Sequence, residues 1–546
     1  MIELFLSPIF ETALSKIGIE IHEGQLFFER PKNVEHGDFA TTIAMLLAKQ
    51  EKKNPRAIAE QILANLPTSE YIDSVEIAGA GFLNIRCTPL LFQVALGSIL
   101  EKGDSFGRLT KGSGLTANVE YVSANPTGPL HPGHGRNIAL GDTIASLLDW
   151  YGYDVTREYY FNNAGNQMNM LAKSIHARYC QLFDAEYPFP DNGYNGLYIG
   201  ELATTLQEQF GDAYKVENEQ SLAICKQLGE EWAFAAIKKT LKTMNVHHDV
   251  YFNEDSLYTS GAIEKVIADL KERDFAYDQD GAVWFKSTLF GADKDRVIVK
   301  SSGEPTYRLP DIAYHINKLE RGFDIVVDIF GADHIATVPD VISGVKALGF
   351  DSDKINAVIY QMVVFVRDGK LFKPSKRKGD AYTLDDLIED TSADIVRYFF
   401  LMRSTNTQLE FDLSLAAEQS EKNPLFYLQY AHARICSLFE KISQEGIDVM
   451  PNANIALLKE PSEMELIKTL MRFPSIIEKS AEQTEPQILC DYLRDVANGF
   501  HTFYHHCRIM GVENSLTQAR LVLANATRIV LKNGFSILGV AAPERM

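Results

Sequence analysis

The spacing of apolar residues changes along the chain and divides it into units. Near the start, Phe10, Leu14 and Ile17 recur at helical spacing. Helical and strand-like patterns then alternate as far as the turn-rich sequence KGDSFGRLTKGSG. We therefore predict a first unit over residues 1–112 and a second that begins near Leu115.

The second unit opens with a strand, a glycine loop and a helix. The apolar run NVEYVS predicts a buried strand, and NPTGPLHPGHGR is a loop broken by proline and glycine. The helix that follows has an apolar face made of Leu140, Ile144, Leu147, Leu148 and Tyr151. This order is typical of a nucleotide-binding α/β unit. Later strand-like runs are expected to complete a parallel sheet: VWFKSTLF, DRVIVKS, DIVVDIFG and NAVIYQMVVFV.

The remaining patterns are mostly helical. Residues of about 185–260 are polar and helical, which indicates an insertion into a domain that spans 113–382. Residues 383–546 form a third unit, a helix bundle whose last long helix is expected to end at Lys532 and Gly534. The fold class is therefore α/β, with additional domains at both ends.

Charge and cysteine content narrow the function classes. The formal charge of −20 disfavours a protein that coats polyanions nonspecifically, although a localised basic surface could still bind a nucleic acid. Six cysteines without a CxxC pair argue against zinc and disulfides and fit a reducing cytoplasm. His247–His248 and His505–His506 lack further ligands at suitable spacing, so no metal site is predicted. The first residues do not predict a secretory signal, and no apolar stretch is expected to span a membrane.

The loop HPGHGR carries the sharpest chemical signal. Its glycines allow a phosphate to approach the backbone closely, and the following helix N-terminus supplies N–H donors and partial positive charge. His131 and His134 can add donors where the charge on an α-phosphate grows during displacement. The alternative is a pair of structural histidines. A dinucleotide site is disfavoured because Ile138 stands where a third glycine is required.

A second loop, KPSKRKG, follows the apolar run YQMVVFV. Its clustered cations suit a triphosphate and a departing pyrophosphate, although many such runs are solvated surface. Together the two loops resemble the HIGH and KMSKS signatures of class I aminoacyl-tRNA synthetases. The surrounding sequences SANPTGPLHPGHGRNIALGD and GEPTYRLPDIAYHINKLERGFDIVVDIFGADH resemble the arginine-specific family. EHGDFATTIAMLLAK at one end, and NPLFYLQYAHAR with APERM at the other, extend this resemblance over essentially the whole chain.

The resemblance implies a Rossmann-type catalytic domain, an α+β N-terminal domain that recognises the tRNA elbow, and an all-α DALR-type anticodon-binding bundle. It also implies catalytic roles for His131, His134 and Lys376. The expected ATP-binding residues are Pro126, Gly128, His131, Gly133, His134, Lys373, Ser375 and Lys376. Pro374 departs from the methionine of the family motif, and its fixed φ could change how this loop closes.

Arginine selection needs carboxylates, because a planar guanidinium is best held in bidentate geometry. By resemblance, the arginine-binding positions are Glu120, Asn125, Tyr307, Asp311, Asp333 and His334. Tyr307 could instead be a core aromatic, and Asp311 could cap a helix. Tyr430, Arg434 and Arg528 are candidates for tRNA contact, although packing is the more common role of such residues on bundle helices.

The resemblance implies ATP-dependent ligation of L-arginine to tRNA(Arg), through an arginyl-adenylate, with transfer to the 2′-hydroxyl of the terminal adenosine. Mg²⁺ is expected to offset phosphate charge, and the enzyme is expected to be a cytoplasmic monomer. Three rivals remain: a class I synthetase for another amino acid, a small-molecule nucleotidyltransferase, and a noncatalytic tRNA-binding paralogue. The long helical C-terminus disfavours the second, and retention of both histidines and Lys376 disfavours the third.

Overall fold

The computed structural model describes residues 1–22, 24–31, 33–372, 382–450 and 453–546. The first unit packs helices against a small antiparallel sheet with strand order β1-β3-β2. Its elements are α1 (Ile2–Lys16), β1 (Phe39–Thr41), α2 (Ile43–Glu51), α3 (Pro55–Asn65), β2 (Ile72–Ala78), β3 (Phe82–Cys87) and α4 (Pro89–Lys102). Phe10 and Leu14 are buried on α1, as their helical spacing predicts.

The second unit is built around a parallel sheet. Its elements are β4 (Thr116–Glu120), α5 (His134–Tyr151), β5 (Asp154–Phe161), α6 (Asn166–Gln181), α7 (Leu197–Phe210), α8 (Glu219–Thr243), β6 (Val250–Asn253), α9 (Asp255–Thr259), α10 (Ala262–Glu272), β7 (Ala276–Gln279), β8 (Ala282–Phe285), β9 (Arg296–Val299), α11 (Arg308–Glu320), β10 (Ile325–Gly331), α12 (Val338–Ala347) and β11 (Ile355–Tyr360). The parallel sheet has strand order β11-β10-β4-β5-β6.

The strand order places a crevice beside β4. The chain continues from β4 to β5 on one side, and β10 lies on the other side. Ligands of open α/β sheets bind at such a switch point, outside the carboxyl ends of the strands. The loop HPGHGR leaves β4 at this end, so the predicted strand, loop and helix lie where a nucleotide site is expected.

Two of the predicted parallel strands belong elsewhere. VWFKSTLF and DRVIVKS supply β8 and β9, which form a separate antiparallel sheet with β7, so their assignment to the parallel sheet was wrong. Asp280 and Gly281 both have positive φ and close a two-residue hairpin between β7 and β8. The parallel sheet is completed instead by β5 and β6.

The described part of the chain from Val363 onward is helical apart from one small sheet, two of whose strands precede the predicted third unit. Its elements are β12 (Val363–Arg367), β13 (Lys370–Phe372), α13 (Leu384–Asp390), α14 (Ala393–Leu401), β14 (Leu409–Asp412), α15 (Leu413–Ala416), α16 (Pro424–Gln444), α17 (Pro461–Leu470), α18 (Phe473–Glu482), α19 (Gln487–His506) and α20 (Asn514–Leu538). The predicted run NAVIYQMVVFV is divided: NAVIY belongs to β11 in the parallel sheet, as expected, whereas VVFV belongs to β12, which pairs with β13 and β14 and not with the parallel sheet.

Helix α20 differs from the prediction in two ways. It continues through Gly534, whose lack of a side chain lets Leu493 approach, and it ends at Gly539 in the left-handed region. Its length and hydropathy also meet the criteria for a membrane span, contrary to the sequence-based expectation. However, 72% of its most apolar stretch is buried inside the fold, as in a core helix.

Arg397 joins three distant parts of the chain. Its side chain is buried on α14, and its guanidinium donates to Asp142 Oδ2 at 2.5 Å. It also donates to the main-chain oxygens of Met244 and Leu538, each at 2.9 Å. These bonds fix the end of α20 against α5, the helix that starts at the histidine loop.

We predict that Arg397→Met lowers the free energy of unfolding by about 3–5 kcal/mol, because the buried Asp142 loses its nearest cation and keeps the more distant Arg157, at 3.8 Å. Urea unfolding followed by circular dichroism measures the change. Arg545→Met is the control, since its pair with Glu440 is solvent-exposed and is expected to contribute at most about 1 kcal/mol. Equal losses in the two variants would contradict the structural role of Arg397.

Candidate active site at the carboxyl ends of the parallel strands

His131 and His134 lie at the N-terminus of α5 with their tautomers fixed by the backbone. His131 Nδ1 accepts a hydrogen bond from the Gly133 N–H, and His134 Nδ1 accepts one from the His131 N–H, both at 3.0 Å. Each neutral ring therefore carries its proton on Nε2 and can donate it to a ligand. Burial lowers the pKa of both imidazoles, and the proximity of His131 lowers that of His134 further.

The loop before the histidines packs against the helical insertion. Pro126 is buried, and a side chain at Gly128 would come within 2.8 Å of the Tyr198 hydroxyl. That hydroxyl donates to the Thr127 main-chain oxygen at 2.7 Å. Gly128 thus allows the insertion to approach the loop. At Gly133, a Cβ would lie 3.3 Å from His131 Nδ1, so a side chain there would crowd the imidazole.

A cavity of about 630 Å³ lies between this loop and the insertion. His131 and Gly128 line it on the loop side, and Tyr198 and Trp232 line it on the insertion side. The rings of Tyr198 and Trp232 are stacked, with centroids 4.6 Å apart and an interplanar angle of 9°. The volume is in the range of small-molecule sites, and one wall is aromatic.

Glu120 and Asp311 are close enough for the charge of Glu120 to add to the effect of burial in raising the pKa of Asp311. Glu120 ends β4 and is 5% exposed; its Oε1 accepts from the Ser123 hydroxyl at 2.8 Å. Asp311 lies in the first turn of α11 and lines a small cavity with His315, Asp328 and His334. Burial raises the pKa of Asp311 to about 7, and the charges of Glu120 and Glu254 contribute in the same direction. The alternative that Asp311 caps α11 is wrong, because Tyr307 holds the N-cap position.

The other predicted arginine-binding residues are less closely grouped. Asn125 accepts from the Asn162 N–H at 3.0 Å and donates to Gln167 at 2.8 Å, so it anchors the loop after β4. The Tyr307 side chain is 91% exposed, which excludes a core aromatic and leaves it outside the pocket in this structure. His334 stacks on Phe330 and lines the cavity of Asp311, whereas the Asp333 side chain is 82% exposed.

The candidate tRNA-binding residues lie on the third unit. Arg434 holds its guanidinium 4.3 Å from the ring centroid of Tyr504 and 5.6 Å from that of Tyr430. Arg528 lies over the Phe439 ring at 5.2 Å and donates to Asn525. All three candidates are half-buried and thus combine packing with a partly open surface. Lys373, Ser375 and Lys376, with Pro374, fall outside the described residues.

Sequence reasoning missed three charged residues beneath the site: His315, Lys318 and Asp328. Lys318 donates to both Glu120 and Asp328, and His315 bonds to Asp328. A signal was present, because Asp311, His315 and Lys318 are spaced to share one face of a helix. Charged residues that share the buried face of a helix indicate partners elsewhere in the fold.

Three family descriptions match successive parts of the chain. They are the arginyl-tRNA synthetase N-terminal domain over residues 5–87, the catalytic domain of class I (R) tRNA synthetases over 96–399, and the DALR anticodon-binding domain over 428–546. The catalytic match alone spans more than half of the chain.

Comparisons with full-length proteins agree with the three domain matches. The arginine–tRNA ligases of Salinibacter ruber and Chlorobaculum tepidum are each 46% identical to this chain, over 99% of its length and 100% of theirs. The solved arginyl-tRNA synthetase of Thermus thermophilus matches the structure with a TM-score of 0.78 over 100% of both chains. Its 20% identity makes this a likeness of fold.

We predict that the Asp311 carboxyl titrates near pH 7. The unfolded chain ionises this group at about pH 4, so its contribution to stability falls as the pH rises from about 4 to about 7. The Tm of Asp311→Asn minus the Tm of the wild type should therefore increase as the pH rises from 5 to 8. Melting curves across this range measure the difference, and parallel pH profiles of the two proteins would contradict the raised pKa.

Proposed function

The chain belongs to the arginyl-tRNA synthetase family, and we propose how its site residues carry out the reaction of that family. The reaction is the ATP-dependent ligation of arginine to tRNA(Arg) through an arginyl-adenylate. ATP, arginine and tRNA(Arg) are accordingly its substrates. The roles of individual residues follow from their geometry.

We propose that His131 and His134 stabilise the α-phosphate of ATP while the arginine carboxylate attacks it. The backbone bonds to both Nδ1 atoms support this role, because they leave two neutral Nε2–H donors at a helix N-terminus. Donors that are already oriented need no rearrangement when the phosphate charge grows. Pro126, Gly128 and Gly133 shape the same loop, and Lys373, Ser375 and Lys376 are proposed to contact the triphosphate and the departing pyrophosphate.

Mg²⁺ is proposed to accompany ATP, where it would offset phosphate charge. Mg²⁺ commonly keeps several waters and binds substrate phosphates through few protein ligands. That mode fits this chain, since the described residues contain no group of three or more His, Cys, Asp or Glu side chains able to hold a metal ion. Asp311 and Glu120 are better suited to a guanidinium than to Mg²⁺, because the ammonium of Lys318 already occupies one oxygen of Glu120 that a metal ion would need.

Arginine is proposed to bind with its guanidinium between Asp311 and Glu120, whose two oxygens also accept hydrogen bonds from Ser123 and Lys318. His334 lines the same cavity as Asp311, and Asn125 is proposed to contribute from the loop after β4; Tyr307 and Asp333 would join the pocket only after moving from their exposed positions. Bidentate contact to carboxylates suits a planar cation with five N–H donors. A neutral analogue such as citrulline would leave those carboxylates mispaired.

The 3′-terminal adenosine of tRNA(Arg) is proposed to enter the cavity beside His131, where its 2′-hydroxyl would receive the arginyl group. Stacked aromatic rings such as Tyr198 and Trp232 offer a base an additional stacking surface. Tyr430, Arg434 and Arg528 are proposed to contact the tRNA on the anticodon-binding bundle. We further propose that the enzyme acts as a cytoplasmic monomer without a membrane partner.

We predict that His134→Ala reduces arginine-dependent ATP–pyrophosphate exchange, measured with tRNA(Arg) present, by about a hundredfold or more. The loss should fall on kcat, because the donor acts mainly on the transition state. His505→Ala is the control, since this histidine lies at the far end of α19 and should leave exchange unchanged. Exchange at the wild-type rate in the His134 variant would contradict the phosphate role.

We also predict that Trp232→Leu raises the KM for tRNA(Arg) by about tenfold, because a stacking surface for the terminal base is lost. The KM for ATP should stay within about threefold, since ATP is proposed to contact the histidine loop rather than this wall. Trp284→Leu is a matched control: Trp284 lies in β8, where it stacks on Tyr277. A rise in the KM for ATP without a rise for tRNA would assign the cavity to the nucleotide.

A further inference from the structure

We propose that Lys318, together with Asp328 and His315, positions Glu120 and Asp311 and thereby sets the selectivity of the site for a guanidinium. This inference rests on the proposed arginine-binding roles of Glu120 and Asp311. Lys318, Asp328 and His315 are positioning residues, because they act on arginine through these two carboxylates.

A row of three carboxylates crosses the sheet beneath the site. Glu120 on β4 is the register partner of Glu158 on β5 and of Asp328 on β10. All three side chains are buried, and adjacent buried carboxylates repel one another strongly. The row therefore requires cations that are fixed within the fold.

Lys318 supplies the central cation. Its side chain is fully buried, and Nζ lies 2.5 Å from Glu120 Oε2 and 2.6 Å from Asp328 Oδ1. Because Ser123 donates to the other oxygen of Glu120, that carboxylate is held from both sides. Arg321 pairs with Glu158 in bidentate geometry at 2.7 and 2.9 Å and so compensates the charge of Glu158.

His315 supplies a third cation. Its Nδ1 faces the Asp311 main-chain oxygen at 2.7 Å, and its Nε2 faces Asp328 Oδ2 at 2.9 Å. Both partners are acceptors, so both ring nitrogens must carry protons and the imidazole is charged. Burial alone would lower the pKa of His315, but the charge and hydrogen bond of Asp328 outweigh it, and the pKa is raised.

Charge compensation then decides what can bind. Lys318, Arg321 and His315 balance the three carboxylates of the row, which leaves Asp311, with the charge of Glu254 nearby, as the carboxyl that a substrate cation can neutralise. The position beside Glu120 Oε2 is already occupied by an ammonium. A substrate must therefore reach Asp311 and the remaining lone pairs of Glu120 together, and a planar guanidinium offers five N–H donors in a fixed geometry and with a wider span than one ammonium.

The test compares the wild type with Lys318→Met and with Lys318→Met/Asp328→Asn in tRNA charging assays. Loss of the ammonium should raise the KM for arginine by about thirtyfold or more and leave the KM for ATP within about threefold. Lys318→Met should also lower the Tm, because Glu120 and Asp328 then repel each other. The double variant should recover much of the Tm, since one of these charges is gone, but not the KM for arginine, since Glu120 still lacks its partner.

Arg397→Met is the matched control. It also removes a buried cation from a buried carboxylate, but at the junction with α20, so it should lower the Tm and leave the KM for arginine unchanged. An unchanged KM for arginine in the double variant, or a KM that recovers together with the Tm, would overturn the positioning role. The double variant carries this test alone if Lys318→Met does not fold.

A Glu120→Gln variant separates this inference from the proposed function. If Glu120→Gln leaves the KM for arginine unchanged, the proposed arginine-binding role of Glu120 fails, and the positioning role fails with it. If Glu120→Gln raises that KM while the double variant does not, only the positioning role is overturned. A rise in both supports both.

Discussion

The ammonium of Lys318, shared between Glu120 and Asp328, connects parts of the chain that are about 200 residues apart. Glu120 ends β4, Asp328 lies opposite it on β10, and Lys318 comes from α11. A buried charge has to be compensated at short range, so the register of the two strands and the position of the helix depend on one another. The switch point of the sheet is thereby held in the geometry that an α/β binding site requires.

The site has two chemically different parts, the histidine loop at the start of α5 and the carboxylates beside α11. At the start of α5, neutral imidazoles offer Nε2–H donors to phosphate, because backbone N–H groups occupy both Nδ1 atoms. Beside α11, the carboxylates of the row are paired with His315, Lys318 and Arg321. Asp311 is the carboxyl proposed to bind the substrate cation. The proposed phosphate and guanidinium positions thus have opposite electrostatic surroundings. Arg397 links α5 to the end of the anticodon-binding bundle and so gives this arrangement a fixed support.

Local signals made part of this structure predictable. The strand, glycine loop and helix around His131 follow from short-range spacing, and family resemblance supplied Glu120 and Asp311 as candidates. The sheet partners were harder to predict: β8 and β9 have strand-like sequences, yet their hairpin excludes them from the parallel sheet. Lys318 was missed because its role depends on register across strands that are distant in sequence. The exposed position of Tyr307 likewise depends on tertiary structure, which its aromatic character alone does not reveal.

The most direct test of the account is a comparison of arginine and citrulline binding to the wild-type protein at pH 8 by isothermal titration calorimetry. Citrulline has nearly the shape of arginine but a neutral urea group in place of the guanidinium. We predict that arginine binds at least about a hundredfold more tightly, because only a cation neutralises Asp311 beside Glu120. Equal affinities would contradict the claim that the carboxylates of Asp311 and Glu120 select the substrate.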